Sequence, residues 1–148
     1  MSPLKQPLNL PCGVTIPNRL CKSAMTEGLA DPNDNPTQEH NTLYKLWAEG
    51  GTGLLITGNV MVDRRYLERA GNVVLEDNRS LDAFKSWAKS GQVNGSQMWM
   101  QINHPGRQCQ RTINMRPISA SDVQLKKVGL FGRPRAMTEA DIEEVIGR

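Results

Sequence analysis

The chain has 148 residues, 38% of them apolar and 22% charged, with a formal net charge of +3. That length and balance describe one ordinary globular core, or part of one, and exclude a disordered chain. No apolar run approaches the roughly eighteen residues of a membrane span, and Met1-Ser2-Pro3-Leu4-Lys5-Gln6-Pro7 lacks a signal peptide's apolar core, so no membrane partner is expected and the cytoplasm is the expected location.

Leu8-Asn9-Leu10 and Val14-Thr15-Ile16 alternate around Pro11-Cys12-Gly13, which predicts a β-hairpin. Residues 20–25 read as a first strand that runs into Thr26-Glu27-Gly28 and a polar, proline-containing loop. A helix is expected over 38–49, with Thr37 as N-cap, Leu43, Leu46 and Trp47 on its apolar side and Gly50 at C′. His40 reads as a surface residue of that helix.

Leu54-Leu55-Ile56 is apolar without alternation, the mark of a strand covered on both faces, and it is expected to end in Thr57-Gly58-Asn59. A second helix follows Ser80, presenting Leu81, Phe84, Trp87 and Ala88, and ends near Gly91 and Gly95. Residues 98–101 form the third strand, which delivers Gln101 to its carboxyl end before His104-Pro105-Gly106-Arg107. Thr138-Glu139-Ala140-Asp141 has the form of a capping box and opens a last helix with Ile142, Val145 and Ile146 as its apolar positions.

Hairpin, strand, helix, strand, helix, strand, excursion, helix is an α/β order with about three βα units, and such alternation calls for a parallel sheet. A TIM barrel takes eight units and about 250 residues, so three units leave a barrel incomplete. Residues 105–136 hold seven basic side chains against Asp122 alone, which puts +6 there and −3 in the rest. That segment is a solvated excursion or an anion-facing loop; with only Phe131 among the charges, no nucleic-acid partner is expected. Cys12, Cys21 and Cys109 have no paired spacing and read as reduced thiols, and His104 with Cys109 is too sparse for a zinc site, so no metal is expected.

Three motifs carry a resemblance: Asn18-Arg19-Leu20-Cys21-Lys22-Ser23-Ala24-Met25-Thr26, Gly53-Leu54-Leu55-Ile56-Thr57-Gly58-Asn59-Val60, and Gln101-Ile102-Asn103-His104-Pro105-Gly106-Arg107-Gln108. In this order and spacing the chain resembles the N-terminal portion of the Old Yellow Enzyme family, FMN-dependent NAD(P)H oxidoreductases that include the dienoyl-CoA reductase branch. The resemblance implies a single incomplete FMN-binding TIM-barrel domain over residues 1–148. It also implies hydride passage from NADH or NADPH to FMN and on to a small-molecule acceptor such as an activated alkene.

The flavin-binding set it implies is Ser23, Ala24, Met25, Thr26, Gly58, Asn59 and Gln101. A carboxamide both donates and accepts, so Gln101 suits the pyrimidine edge of a flavin. Ser23, Ala24 and Met25 match a segment whose backbone lies along the ring, although many relatives have proline at the place of Ala24. Thr26 is implied to tune the flavin through its hydroxyl, and either Gly58 or Asn59 approaches the ring. His104 and Arg107 belong to a family signature and are read as structural. Side chains that activate the substrate lie on later strands of the family, so catalytic residues are expected beyond Arg148 and this chain alone is expected to show little or no turnover. The alternative is a non-catalytic chain that acts as an interaction module, through self-association for example, or an inert fragment.

Overall fold

The computed structural model describes residues 2–148. An antiparallel hairpin of β1 (Leu8–Asn9) and β2 (Thr15–Ile16) opens the chain, with Leu8 opposite Ile16, as the alternation predicts. The first strand of the main sheet, β3, is only Cys21–Lys22, shorter than the expected 20–25 because the chain leaves the ladder at Ser23.

Helix α1 (Gln38–Glu49) follows, then strand β4 (Leu54–Met61), strand β5 (Val73–Val74), helix α2 (Leu81–Gly91) and strand β6 (Gln97–Asn103). β3, β5 and β6 all pair with β4 in parallel. Since β6 runs along β4 from Leu54 to Met61, β3 and β5 must share the opposite edge. β3 takes Leu54 and Leu55, and β5 takes Val60 and Met61. Neither β5 nor the extension of β4 through Thr57, Gly58 and Asn59 to Met61 was expected from the sequence, where that polar, glycine-containing triplet signals an end. The strand continues because tertiary partners satisfy it there.

Past β6, the two-residue strands β7 (Ile118–Ser119) and β8 (Arg135–Ala136) pair in parallel, and helix α3 (Glu139–Ile146) closes the chain. The basic excursion thus has structure of its own. Arg135 is committed to Asp141 at 2.6 Å, and Thr138 and Asp141 form the expected capping box. Hydrogen bonds from Arg135 and Thr138 hold the Asp141 carboxyl far below the usual carboxylate range. Of the apolar positions expected on α3, only Val145 packs on a core cluster, with Tyr66, Cys109 and Ile118, while Ile142 and Ile146 are exposed.

Both longer helices lie on the sheet through one cluster: Tyr44 and Ala48 from α1, Phe84 and Trp87 from α2, and Leu55, Val60 and Val73 from the strands. The buried side of α1 is therefore His40, Tyr44 and Ala48, one position off the expected stripe, and Leu46 faces solvent. Gly50 is the C-cap in right-handed conformation, and it is Gly51 that takes the positive φ of 90°.

His40 corrects the sequence reading outright, because it is fully buried. Its Nδ1 accepts the Thr37 N–H at 3.1 Å, in the place a capping box usually gives to glutamate, and its ring stands edge-on to Trp87 at 4.9 Å. Burial pushes the His40 imidazole below its ordinary 6.5, and does the same to His104, which packs on Tyr66 at 5.1 Å. A base held below its unfolded value contributes stability that is complete above pH 6.5 and is lost as the pH falls through the folded value. Proton NMR titration is expected to give both imidazoles midpoints below 6.5, with the melting temperature declining as the pH drops below that value; a midpoint at or above 6.5 for His40 would contradict its burial.

Candidate functional site

Between the points where β3 leaves β4 and β5 joins it, four residues of β4, Ile56, Thr57, Gly58 and Asn59, have no strand on that edge. On the other edge the β6 register slips between Ile56 and Asn59. A strand interrupted on both sides must find other partners for its backbone polar groups, and here side chains supply them. The Gly58 N–H donates to Glu27 Oε1 at 3.0 Å and lies 3.2 Å from the Tyr44 hydroxyl oxygen. Across the slip, the Gln101 N–H donates to Thr57 Oγ1 at 2.9 Å, and that hydroxyl donates to the Gly58 carbonyl at 2.9 Å.

This irregular patch at the carboxyl end of the sheet joins three of the sequence-predicted site residues. Gln101 Nε2 donates to Asn59 Oδ1, Asn59 Nδ2 donates to Thr26 Oγ1 at 3.1 Å, and the Thr26 hydroxyl donates to Glu68 Oε2 at 3.0 Å. One side chain from each of β4 and β6, with one from the segment after β3, thus form a single hydrogen-bonded row. Ser23, Ala24 and Met25 precede Thr26 outside any strand, and Met25 is 56% exposed. Gly58 is buried below this segment: a Cβ there would lie 2.5 Å from the Met25 carbonyl oxygen and collide with the Glu27 carboxylate. Asn59 belongs to the row and Gly58 does not; the role of Gly58 is to let the segment cross closely over β4.

Glu68 went unremarked in the sequence. Burial alone would push its carboxyl up, but the hydrogen bonds from Arg69 and Thr26 outweigh that and hold it below the ordinary value. Lys22, Glu27 and Tyr44 were also missed. A lysine inside a strand is the signal that could have found them, because a lysine drawn into the interior needs a partner. Glu27 and Asp63 do not pair with each other; Asp63 is buried against Arg65 and Arg148. His104 Nδ1 accepts the Gly106 N–H at 3.2 Å, which fixes the turn after β6, and Arg107 points to solvent.

Chemically, the row offers donors and acceptors along one line. The Gln101 carboxamide keeps its oxygen free of protein partners among the described residues. Trp99 of β6, two residues before Gln101 and on the same face of the strand, is exposed. Polar groups at strand ends with an exposed apolar side chain nearby suit a flat heteroaromatic ring with carbonyl and N–H functions on its edge. No helix among the described residues is long and apolar enough to cross a membrane, and no three His, Cys, Asp or Glu side chains among them gather to hold a metal ion.

Comparison with known proteins gives the family and the fold. The chain is 34% identical over 158 aligned positions to the NADH-dependent flavin oxidoreductase iliE of Hypocrea jecorina, covering 94% of this chain and 39% of the relative. It is 32% identical over 136 positions to the NADH oxidase of Thermoanaerobacter brockii, covering 90% of this chain and 21% of that one. Among solved structures, the old yellow enzyme homologue from Zymomonas mobilis superposes with a TM-score of 0.85 at 18% identity, over 99% of this chain and 42% of its own. Morphinone reductase superposes with a TM-score of 0.83 at 18% identity, over 97% and 42%. The chain thus spans about two fifths of the iliE relative and of both solved structures, and its fold is the N-terminal part of their barrel. With the profile of the NADH:flavin oxidoreductase / NADH oxidase family matching residues 3–148, the chain belongs to that family.

Proposed function

We propose that this chain forms the flavin-facing part of an FMN-dependent NAD(P)H oxidoreductase, with Ser23, Ala24, Met25, Thr26, Asn59 and Gln101 toward the isoalloxazine and Gly58 as the spacer beneath. The observation that carries the reading is the hydrogen-bonded row of Thr26, Asn59 and Gln101 at the carboxyl ends of parallel strands, where ligands of α/β barrels bind. The donor set fits FMN: the Gln101 carboxamide can accept from and donate to a pyrimidine edge, and the Thr26 hydroxyl stands at the far end of the row. When bound, FMN supplies hydride transfer between a nicotinamide and an acceptor such as an activated alkene, and the protein's part is to bind, orient and tune.

Thr26 has one proton and gives it to Glu68. To donate to a flavin oxygen it must release that carboxylate, so Glu68 and the flavin compete for the same hydrogen. A hydrogen bond to a polarised group is worth about 1.5–3 kcal/mol, on the order of 30–60 mV for a two-electron couple. Thr26→Ala in a complete barrel is expected to lower the flavin midpoint potential by about that amount; an unchanged potential would remove Thr26 from the tuning role. The three free thiols support a reducing compartment, the cytoplasm.

The test is flavin uptake by the purified chain, alone and fused to the last five βα units of a full-length relative such as the Hypocrea jecorina protein. The fusion is expected to hold one FMN, absorb near about 450 nm and oxidise NADH or NADPH, and the chain alone to bind without saturation and to show no turnover. A folded fusion that excludes FMN would refute the reading. A second reading, an interaction module, is favoured by β6, which pairs with β4 alone and leaves an edge with exposed Trp99 and Ile102. A defined oligomer of the chain, together with that exclusion of FMN, would select it.

A further inference from the structure

The residues proposed to lie along the flavin after β3 belong to no helix or strand, yet a ring-binding segment must be held to a fraction of an ångström. What fixes it stands on either side of it in sequence. Lys22, the last residue of β3, and Glu27, just past Thr26, have side chains only 8% exposed, and their charged ends approach to 3.8 Å. The Lys22 ammonium has three protons and three close oxygen partners: the Ile56 carbonyl at 2.8 Å, the Ser23 carbonyl at 3.0 Å and the Tyr44 hydroxyl at 3.3 Å. It also sits 4.9 Å from the Trp47 ring centroid and 5.2 Å from that of Tyr44. Glu27 Oε1 takes the Gly58 N–H and the Tyr44 hydroxyl proton.

These contacts fall where the ladder between β3 and β4 stops. Lys22 bonds one carbonyl on each side of the break, and Glu27 satisfies the β4 amide that no strand reaches. A buried ion pair is not needed for stability, since apolar residues of similar size often do as well. An apolar pair could not replace the missing ladder bonds, however, and would leave Gly58 N–H and Ile56 carbonyl without these partners.

We propose that Lys22 and Glu27, bridged by the Tyr44 hydroxyl, are positioning residues that staple both ends of the segment 23–26 to β4 and so set the flavin-facing backbone. This rests on the flavin reading above. Neither side chain touches the ring; they act through the backbone between them. Burial lowers the Lys22 pKa, opposed by Glu27, while burial and Glu27 raise that of Tyr44, so the phenol keeps the proton it donates.

The test compares wild type with Glu27→Leu, Lys22→Met and the double variant, which remove the acceptor of the Gly58 N–H, the donor to the Ile56 carbonyl and both. Amide hydrogen exchange is read on the 148-residue chain, and FMN affinity and the visible flavin spectrum on the fusion. Each variant is expected to speed exchange at Gly58 and residues 23–27 by about tenfold or more, with α1 and α2 protected as in wild type, and to weaken FMN binding by a similar factor with a shifted flavin band. If a single variant unfolds because its remaining charge is buried alone, the double variant, which buries none, decides. A folded double variant with wild-type exchange at Gly58 and 23–27 and a wild-type flavin spectrum overturns the staple. A wild-type fusion that takes up no FMN overturns the flavin reading and this inference with it, an outcome recognisable because it needs no variant.

Discussion

Trp87→Ala is expected to abolish cooperative melting of this chain. Trp87 is 1% exposed and joins the two helices: its ring meets Tyr44 at 5.2 Å with an interplanar angle of 90°, His40 at 4.9 Å and Phe84 at 6.3 Å. Below it lie Leu55, Val60 and Val73 of the sheet. Cutting a buried tryptophan to alanine costs about 3–5 kcal/mol, against about 5–15 kcal/mol for a whole domain. This chain should lie near the bottom of that range, because Trp99, Ile102, Ile142 and Ile146 stay exposed instead of adding to a core. Far-UV circular dichroism against urea should show a broad, early loss of signal for the variant and a sharp transition for wild type. Trp87→Phe should keep the transition at a lower midpoint, since the ring contacts persist in part and the indole N–H has no partner to lose. A Trp87→Ala chain that melts sharply near the wild-type midpoint would mean that α1 and α2 do not share one core.

What could be read from the sequence divides by range of interaction. α1 and α2 follow from apolar spacing and from Thr37, and β4 announces itself through Leu54-Leu55-Ile56, because these signals are local. β5 is two valines, too short to have a period, and exists only because β4 has a vacant edge beside it. His40 looked like a surface residue because histidine is polar; its place three residues after Thr37, where a capping box puts its acceptor, carried the opposite message. Within the site, Thr26, Asn59 and Gln101 were accessible through their motifs, and the structure gathers them into one row. Glu68 was not accessible, since it comes from a loop forty-two positions away from Thr26. Lys22 stood in plain view within the first motif and Glu27 one residue past its end, but a charge five residues from its opposite on an irregular segment has no fixed geometry until α1 brings Tyr44 between them.

Gly58→Ala should be damaging in two separable ways. Its Cβ would stand 2.5 Å from the Met25 carbonyl oxygen and would overlap the Glu27 carboxylate, so either β4 or the segment above it must move. Glu27 could swing aside only by giving up the Gly58 N–H and the Tyr44 hydroxyl, and the Met25 carbonyl is backbone that has no rotamer to change. Overpacking of this kind costs about 1–3 kcal/mol, which urea denaturation of the chain would read. The second effect is specific: because the displaced backbone is the proposed flavin-facing segment, the fusion should lose about tenfold or more in FMN affinity, the cost of roughly one charge-assisted hydrogen bond. Gly53→Ala separates the two. Just before β4 begins, a Cβ on Gly53 would meet the Asn18 carbonyl oxygen and side chain at 2.7 Å, a somewhat milder clash of the same kind, far along the strand from Thr26 and Gln101. It should cost stability of the same order and leave FMN affinity near wild type. If both variants weaken FMN alike, the loss is a general consequence of a strained sheet; if neither does, residues 23–26 do not face the flavin, and the ring must be held by the rest of the row.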